Sequence, residues 1–324
     1  MVYKNEAVKF KDSRGEYFAG PKEIINQKGE KIRVIPHICI KADSIPEAYE
    51  LALMAVWNHG TDISTHYDRE GDPPSREANV KIDIIESLAE PMIHKNFPGG
   101  PEELEVYRQE VVDGIHDHWI NPKAGKWTYT YHERLFNYNP SCDLLAVDMG
   151  HMMPKGINQI DNVIKELKRN PTSKAAQATT WIPMADIHLE GDRPCLQRLW
   201  FRLYPQEDDT YSLSLDTAWR SRDLYRAWFM NVYAITNLQK KVADRLANEL
   251  NKEVKIGSYS DNSNSLHIYG SCWTEMEKEF SKMMDAKGIE NRVWTTDSPA
   301  FKMLTEEAKI NLRKDPDYYA KGGN

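Results

Sequence analysis

Residues 195–219 read Cys195-Leu-Gln-Arg-Leu-Trp-Phe-Arg-Leu-Tyr-Pro-Gln-Glu-Asp-Asp-Thr-Tyr-Ser-Leu-Ser-Leu-Asp-Thr-Ala-Trp219. Leu199, Phe201 and Leu203 alternate with Arg198, Trp200 and Arg202; Tyr211, Leu213 and Leu215 alternate with Ser212, Ser214 and Asp216. A period of two on both sides of Pro205 to Asp209 predicts a β-hairpin. Beyond it the period changes: Val232, Ile235, Leu238, Val242, Leu246 and Leu250 mark one long amphipathic helix that must be largely buried. Upstream, Pro46 to His59 is a helix, with Ser44 and Glu47 as a capping box, Pro46 in the first turn and Gly60 at its end. Its Leu51, Met54, Ala55, Val56 and Trp57 read as core. Further helices are expected over Glu102 to Val112 and Gln159 to Lys168, the latter stopped by Asn170-Pro171. The last roughly 30 residues are polar and show no period. Strands and helices in irregular order give an α+β class.

The length of 324 residues suits one large domain or two small ones. Prolines and glycines are scattered as local turns, so one compact domain is expected: an N-terminal extension over 1–45, a catalytic region over 46–290 and a polar tail over 291–324. With 42 basic against 49 acidic residues, a surface built to grip polymeric nucleic acid is not expected. A small anion needs only a few arginines. Cys39, Cys142, Cys195 and Cys272 have no CxxC spacing and read as thiols of a reducing compartment. No run approaches the roughly 18 apolar residues of a membrane span, and Met1 to Glu6 opens no signal peptide. The expectation is a soluble cytoplasmic protein, in the host cytoplasm if phage-encoded.

Cys195 follows Asp192-Arg193-Pro194 at the mouth of a strand, where proline fixes the backbone and arginine favours a thiolate. By itself this also describes an ordinary buried cysteine. The surrounding order is more specific: Asn162-Val163-Ile164 through Asn170-Pro171, Trp181-x-Pro183, Pro194-Cys195, Arg220-Ser221-Arg222-Asp223-Leu224, Asn231, and Leu266-His267-Ile268-Tyr269. This succession resembles the thymidylate synthase family, which includes pyrimidine hydroxymethylases.

The resemblance implies a thymidylate-synthase-type fold, a mixed β-sheet with helices packed on one side and a long buried helix, working as a homodimer that pairs through sheet faces. It implies 5,10-methylenetetrahydrofolate as co-substrate and a pyrimidine nucleoside monophosphate as partner. C5 of uracil is a poor nucleophile, so a thiolate must first add to C6, and Cys195 is the candidate. An asparagine amide can donate to O4 and accept from N3–H, which makes Asn231 the base reader; its bland alternative is a helix cap. Arg220 and Ser221 are candidates for phosphate, His267 and Tyr269 for the sugar 3′-hydroxyl, and Asp223 for the folate pterin. Asp68-Arg69-x-Gly71 is similar to the start of the family's phosphate loop and reads equally as an exposed turn. Glu110 is the candidate for ordering water and moving protons near the base, against a solvated glutamate in a helical charge run. Tyr129-x-Tyr131-x-x-Arg134 occupies the place of the family's Tyr-Gly-x-Gln-Trp-Arg and is either site lining or core.

Departures bear on the product. Leu196 stands where the family has histidine, the paired interface arginines fall at Lys174-Ala175, and the chain ends Tyr319-Ala320-Lys321-Gly322-Gly323-Asn324 rather than in an apolar closing tail. A wetter cavity would let water end the reaction as a 5-hydroxymethyl product; hydride from the folate would instead give dTMP and dihydrofolate. A non-catalytic nucleotide-binding protein of the same fold is the third possibility. His116-Asp117-His118, in a strand, would put two rings on one side and begin a metal site, but no further ligand cluster accompanies it, so a packed or solvated pair is expected and no metal.

Overall fold

A computed structural model describes residues 7–65, 67–139, 156–189, 191 and 193–319. In chain order the elements are β1 (Val8–Asp12), β2 (Gly15–Ala19), β3 (Glu23–Ile25), β4 (Lys31–Arg33), β5 (His37–Ala42), α1 (Ile45–His59), β6 (Thr61–Ile63), β7 (Ser75–Ile84) and β8 (Ile93–His94). There follow α2 (Pro101–Asp113), α3 (Tyr131–Phe136), α4 (Gln159–Arg169), β9 (Gln177–Thr179), α5 (Pro183–Asp186), β10 (Leu196–Pro205), β11 (Tyr211–Trp219) and β12 (Arg222–Asp223). The last are α6 (Trp228–Leu250), β13 (Val254–Ile268), α7 (Trp273–Met283), β14 (Val293–Trp294) and α8 (Pro299–Lys314).

The chain forms two compact units: Met1–Gly99 with Ala218–Val232 and Ser258–Ser298, and Gly100–Thr217 with Tyr233–Gly257 and Pro299–Asn324. In the first, strands run in the order β1-β2-β5-β7-β13, with β6 on β7 and β12 on β13. The pairs β5–β7 and β12–β13 are parallel; β1–β2, β2–β5, β6–β7 and β13–β7 are antiparallel. The sheet is therefore mixed, as expected of this α+β chain. In the second unit β9 pairs antiparallel with β10, and β11 follows β10 across the hairpin turn at Pro205–Asp209.

The expected hairpin is present, with Leu199, Phe201, Leu203, Leu213 and Leu215 buried on one face. The long helix is α6, and Val232, Ile235, Leu238, Val242 and Leu246 are all buried along it. At α1 the Ser44 amide donates to the Glu47 carboxylate at 2.9 Å, the reciprocal half of the capping box. Gly60 ends that helix in extended backbone, where a Cβ would come 2.5 Å from the Val56 carbonyl.

Two stretches set apart by sequence carry more structure than expected. Strands β1, β2 and β5 lie within residues 1–45 yet join the sheet of the first unit, burying Tyr17, Ala19, Ile38, Ile40 and Ala42. Arg14 from the β1–β2 turn also reaches the core, where its Nη1 donates to Glu50 at 2.6 Å. Arg292 Nε adds a contact at 2.7 Å and His94 Nε2 lies at 3.0 Å. Burial alone would raise Glu50, but these donors outweigh it and hold the carboxyl at about 2. The tail expected to be patternless contains α8, which buries Phe301, Thr305, Ala308 and Leu312. That helical spacing is concealed in the sequence because half of the buried face is Thr and Ala.

Candidate active site

In the first unit the site is built by strand pairing. β12 lies parallel to β13, with Arg222 opposite Leu266 and Asp223 opposite His267. The Leu224 amide donates to the His267 carbonyl at 2.8 Å. This short ladder brings the Arg220-Ser221-Arg222-Asp223-Leu224 run beside His267 and Tyr269, whose rings meet edge-on at 4.5 Å. A β-bulge in β13 between Ser263 and Leu266 re-aims the segment just before that pair. Arg220 and Ser221 are half-buried at the end of β11. Asn231 sits in the first turn of α6, nearly buried, its amide bonded to the Ala227 carbonyl at 3.0 Å. Asp223 is half-buried and accepts from the Arg226 amide at 2.9 Å; loss of water around it raises its carboxyl above the ordinary range.

His267 is buried. Desolvation pushes its imidazole down to about 4, against upward pulls from Ser265 and Asp68, so the ring is neutral at pH 7. Ser265 Oγ donates to Glu77 at 2.8 Å and is left to accept from His267 Nδ1 at 3.3 Å. Nε2 therefore carries the lone pair, and it has no partner among the described residues. An acceptor buried in this way suits a hydroxyl donor. The loop before β7 reaches the same place: Tyr67 packs on Tyr269 at 6.1 Å, and Asp68 accepts from Ser75 at 2.9 Å. Arg69 itself stands on an exposed turn, its amide on Asp72 at 3.2 Å and Gly71 at φ 92°. The loop is thus brought to the sugar-binding candidates, while the Arg69 backbone has the form of the exposed turn.

In the second unit Cys195 is half-buried immediately before β10. The next amide, Leu196 N–H, donates to the Tyr131 hydroxyl at 3.3 Å. The Leu196 side chain is fully buried. Tyr131 opens α3, which Thr130 caps by accepting from the Glu133 amide at 2.9 Å. The two readings of the Tyr129-x-Tyr131-x-x-Arg134 stretch divide by residue. Arg134 is core, paired with Asp186 at 2.8 and 3.3 Å and stacked on Tyr129 and Tyr138 at 5.5 and 5.2 Å. Tyr129 and Tyr131 line a cavity of about 560 Å³ together with Tyr107, Glu110, Trp127 and Gly191. Glu110 is therefore at a cavity and not merely on a solvated face. Lys174 is exposed, and its carbonyl accepts from Trp200 Nε1 at 2.9 Å. Asp192, Cys142 and Ala320 to Asn324 lie outside the described residues.

His116-Asp117-His118 is not in a strand. It enters a 3₁₀ turn, Asp117–Trp119, so the two rings do not share a face in strand fashion; their centroids are 6.4 Å apart. Each histidine has its own carboxylate, His116 with Glu110 at 2.9 Å and His118 with Asp317 at 2.8 Å. Among the described residues no group of three His, Cys, Asp or Glu side chains is placed to hold a metal ion, and no described helix is long and apolar enough to cross a membrane. Sequence reasoning missed His116 as the partner of Glu110. The signal was Gly114, which ends α2 at φ 71° and turns the chain back so that His116, six positions beyond Glu110, meets the helix it has just left.

Residues 100–307 match the family model described as thymidylate synthase. A protein of Methanothermobacter marburgensis, named "Putative thymidylate synthase", is 33% identical over 245 residues, covering 71% of this chain and 92% of its own length. One of the same name from Methanococcoides burtonii is 29% identical over 239 residues, covering 74% and 93%. Among solved structures, thermostable thymidylate synthase A from Bacillus subtilis aligns with a TM-score of 0.51 at 18% identity, over 74% of this chain and 84% of that one, a likeness of fold.

Proposed function

Since the chain belongs to the thymidylate synthase family, we propose that it carries the family's one-carbon transfer from 5,10-methylenetetrahydrofolate to C5 of a pyrimidine nucleoside 5′-monophosphate, with dUMP favoured, and releases the 5-hydroxymethyl product. The observation that carries the reading is the placement of Cys195 at the head of β10, with the Tyr131 hydroxyl on the next amide and Tyr131 lining the cavity that holds Glu110. A half-buried thiol one residue from an amide held by a tyrosine of the cavity that contains an acid–base candidate suits addition to an electrophilic ring carbon.

Cys195 adds to C6, the enolate so formed attacks the methylene group from C5, and loss of the C5 proton with departure of the folate nitrogen leaves an exocyclic methylene. Water then adds there and the thiolate departs. Asn231 reads O4 and N3–H, while Arg220, Ser221, Arg69 and Lys174 supply the phosphate contacts. His267 Nε2 accepts the sugar 3′-hydroxyl beside Tyr269, in keeping with its unmatched lone pair. Asp223 accepts from the pterin. A cavity edged by Tyr107, Trp127 and Tyr129 suits a flat aromatic heterocycle. We assign this chemistry to residues 46–290, in a cytoplasmic homodimer that pairs through sheet faces.

The hydroxymethyl ending rests on Leu196 in the place of the family histidine. The names of the archaeal relatives favour the second reading, reductive methylation to dTMP. Incubation with methylenetetrahydrofolate and each pyrimidine monophosphate, followed by product analysis, decides between them. A stoichiometric rise in dihydrofolate absorbance with dUMP would sink the hydroxymethyl reading, and faster turnover of UMP than dUMP would sink the deoxyribose preference. Failure of a 5-fluoropyrimidine nucleotide to trap the protein covalently would leave only a non-catalytic nucleotide binder.

A further inference from the structure

We propose that Glu110 and His116 form a unit that holds one shared proton at the cavity, with His116 as the positioning residue that keeps Glu110 loaded for proton transfer. The proposal rests on the function inferred above and adds a residue to it. It follows from counting donors and acceptors. His116 Nε2 lies 3.2 Å from the carbonyl oxygen of Pro316, which can only accept, so Nε2 must carry hydrogen. His116 Nδ1 lies 2.9 Å from Glu110 Oε2. With Nε2 protonated, a hydrogen bond at Nδ1 has two forms: a neutral imidazole accepting from a carboxylic acid, or an imidazolium donating to a carboxylate. Both contain the same single proton between Oε2 and Nδ1. Its absence would set a lone pair against a carboxylate in a mostly buried site.

The surroundings hold the ring in this pose. His116 is 4% exposed and stacks on the Trp119 indole at 3.6 Å and 9°. Pro316 is kept in place by its neighbour Asp317, which accepts from Trp119 Nε1 at 2.5 Å and meets His118 Nε2 at 2.8 Å. The segment after α8 thus fixes which nitrogen of His116 bears hydrogen. The motif that resembled the start of a metal site instead clasps the C-terminal segment against the acid–base pair.

In the reaction the pair gives its proton toward O4 as the Cys195–C6 bond forms, and it takes one back as C5 attacks and the carbonyl is restored, so no proton is gained or lost over the two steps. Among the described residues the charged and titratable groups around the pair include His118, Asp117 and Asp317 near the imidazole and Lys126, Tyr107, Tyr129 and Tyr131 along the cavity wall. Asp117 is itself engaged by His132 at 2.7 Å.

Two measurements test this. The first is independent of activity: ¹⁵N spectra of the full chain labelled at histidine should show His116 Nε2 protonated and Nδ1 protonated or sharing a proton, and Glu110→Gln should return Nδ1 to a plain acceptor. A neutral ring with hydrogen on Nδ1 and a bare Nε2 in the unsubstituted chain overturns the proposal. The second is kinetic: His116→Gln should lower kcat about 100-fold, leave KM for dUMP within about threefold and flatten one limb of the kcat–pH profile. An unchanged kcat and pH profile overturns it as well. Should the unsubstituted chain fail to trap a 5-fluoropyrimidine nucleotide, the one-carbon reading falls, and the ¹⁵N spectra still judge the shared proton.

Discussion

Arg134 and Arg222 are both buried, both stacked on aromatic rings and both paired with a buried aspartate, one in each compact unit. Their geometries differ. Arg134 meets Asp186 through both terminal nitrogens, and Asp186 also accepts from the Ile182 amide at 2.7 Å, so one carboxylate ties α3 to the start of α5. Arg222 reaches Asp261 and Ser263, the latter at 2.8 Å, through Nη2 alone. Its Nε and Nη1 are buried with no hydrogen-bond partner among the described residues, and the guanidinium lies 4.2 Å from the Trp219 ring. The lesson concerns what each supports. Arg134 fixes the helix that presents Tyr131 to the segment of Cys195, a clamp with its bonds largely made. Arg222 sits one residue from Asp223 in the two-residue strand that meets His267, and it carries an unrecovered burial cost. The segment of Cys195 in the second unit rests on a satisfied network, and the segment of Asp223 and His267 in the first rests on a partly satisfied one.

The separation of roles is tested most severely at the two ends of the reaction. Cys195→Ser is expected to lower turnover by several orders of magnitude while nucleotide affinity, measured by calorimetry, stays near that of the native chain, because the thiolate forms the covalent bond but few ground-state contacts. Cys39, Cys142 and Cys272 should accept serine without that loss. Near-normal turnover in Cys195→Ser would remove the mechanism altogether. Asn231→Asp should change the base preferred: a carboxylate faces the O4 acceptor of uracil unfavourably but can share a proton with cytosine N3 and its amino group. Turnover of dUMP should fall by about 100-fold or more while dCMP gains. A native preference for dCMP would refute the role given to Asn231.

The regular elements were legible because their signal is periodic. The hairpin, α1, α2, α4 and α6 follow from spacing and capping residues, with ends displaced by a residue or a few. Residues 1–45 were less legible: β1 and β2 are short, and the burial of Arg14 depends on Glu50, 36 positions away. The division into two units was not read, since three of its five boundaries fall within β11, α6 and β13, where the hydrophobic period does not change. At the candidate site, the family pattern gave Asp223 and His267 separate roles but not their pairing across β12 and β13. The pairing of Glu110 with His116 was not legible either, because it depends on the left-handed Gly114 and on a proline carbonyl 200 residues away.

The arginine comparison sharpens through stability. Removing one partner of a buried ion pair leaves an isolated charge, so Asp261→Ala and Asp186→Ala should each lower unfolding free energy by about 3–5 kcal/mol. Replacing both partners by apolar residues should separate them. Arg222→Met with Asp261→Leu removes two unmet donors along with the pair and parts the Tyr259 and Ser263 hydroxyls from Asp261 only at contacts of 3.3 and 3.2 Å, so it should recover more of the loss than Arg134→Met with Asp186→Leu, which strips the Ile182 amide of an acceptor at 2.7 Å. Equal recovery in urea unfolding of the two double variants would erase the distinction.

The smallest effect is expected from His267. Burial pushes its imidazole down to about 4 in the folded chain, below the ordinary histidine value of about 6.5, so between those values the unfolded chain takes up a proton that the folded chain refuses. Stability from this residue is complete above pH 6.5 and is lost as pH falls toward 4, by about 3 kcal/mol at most, at about 1.4 kcal/mol per pH unit. His267→Gln keeps a polar side chain without the titration, so its stability should change less with pH across that window, while the two chains remain parallel above it. The same substitution should weaken dUMP more than dUMP's 3′-deoxy analogue, since only the former offers a hydroxyl to Nε2. If urea unfolding between pH 6.5 and 4 is identical for the two chains, burial does not hold this ring neutral. Equal weakening of the two nucleotides would show that Nε2 does not receive the sugar hydroxyl.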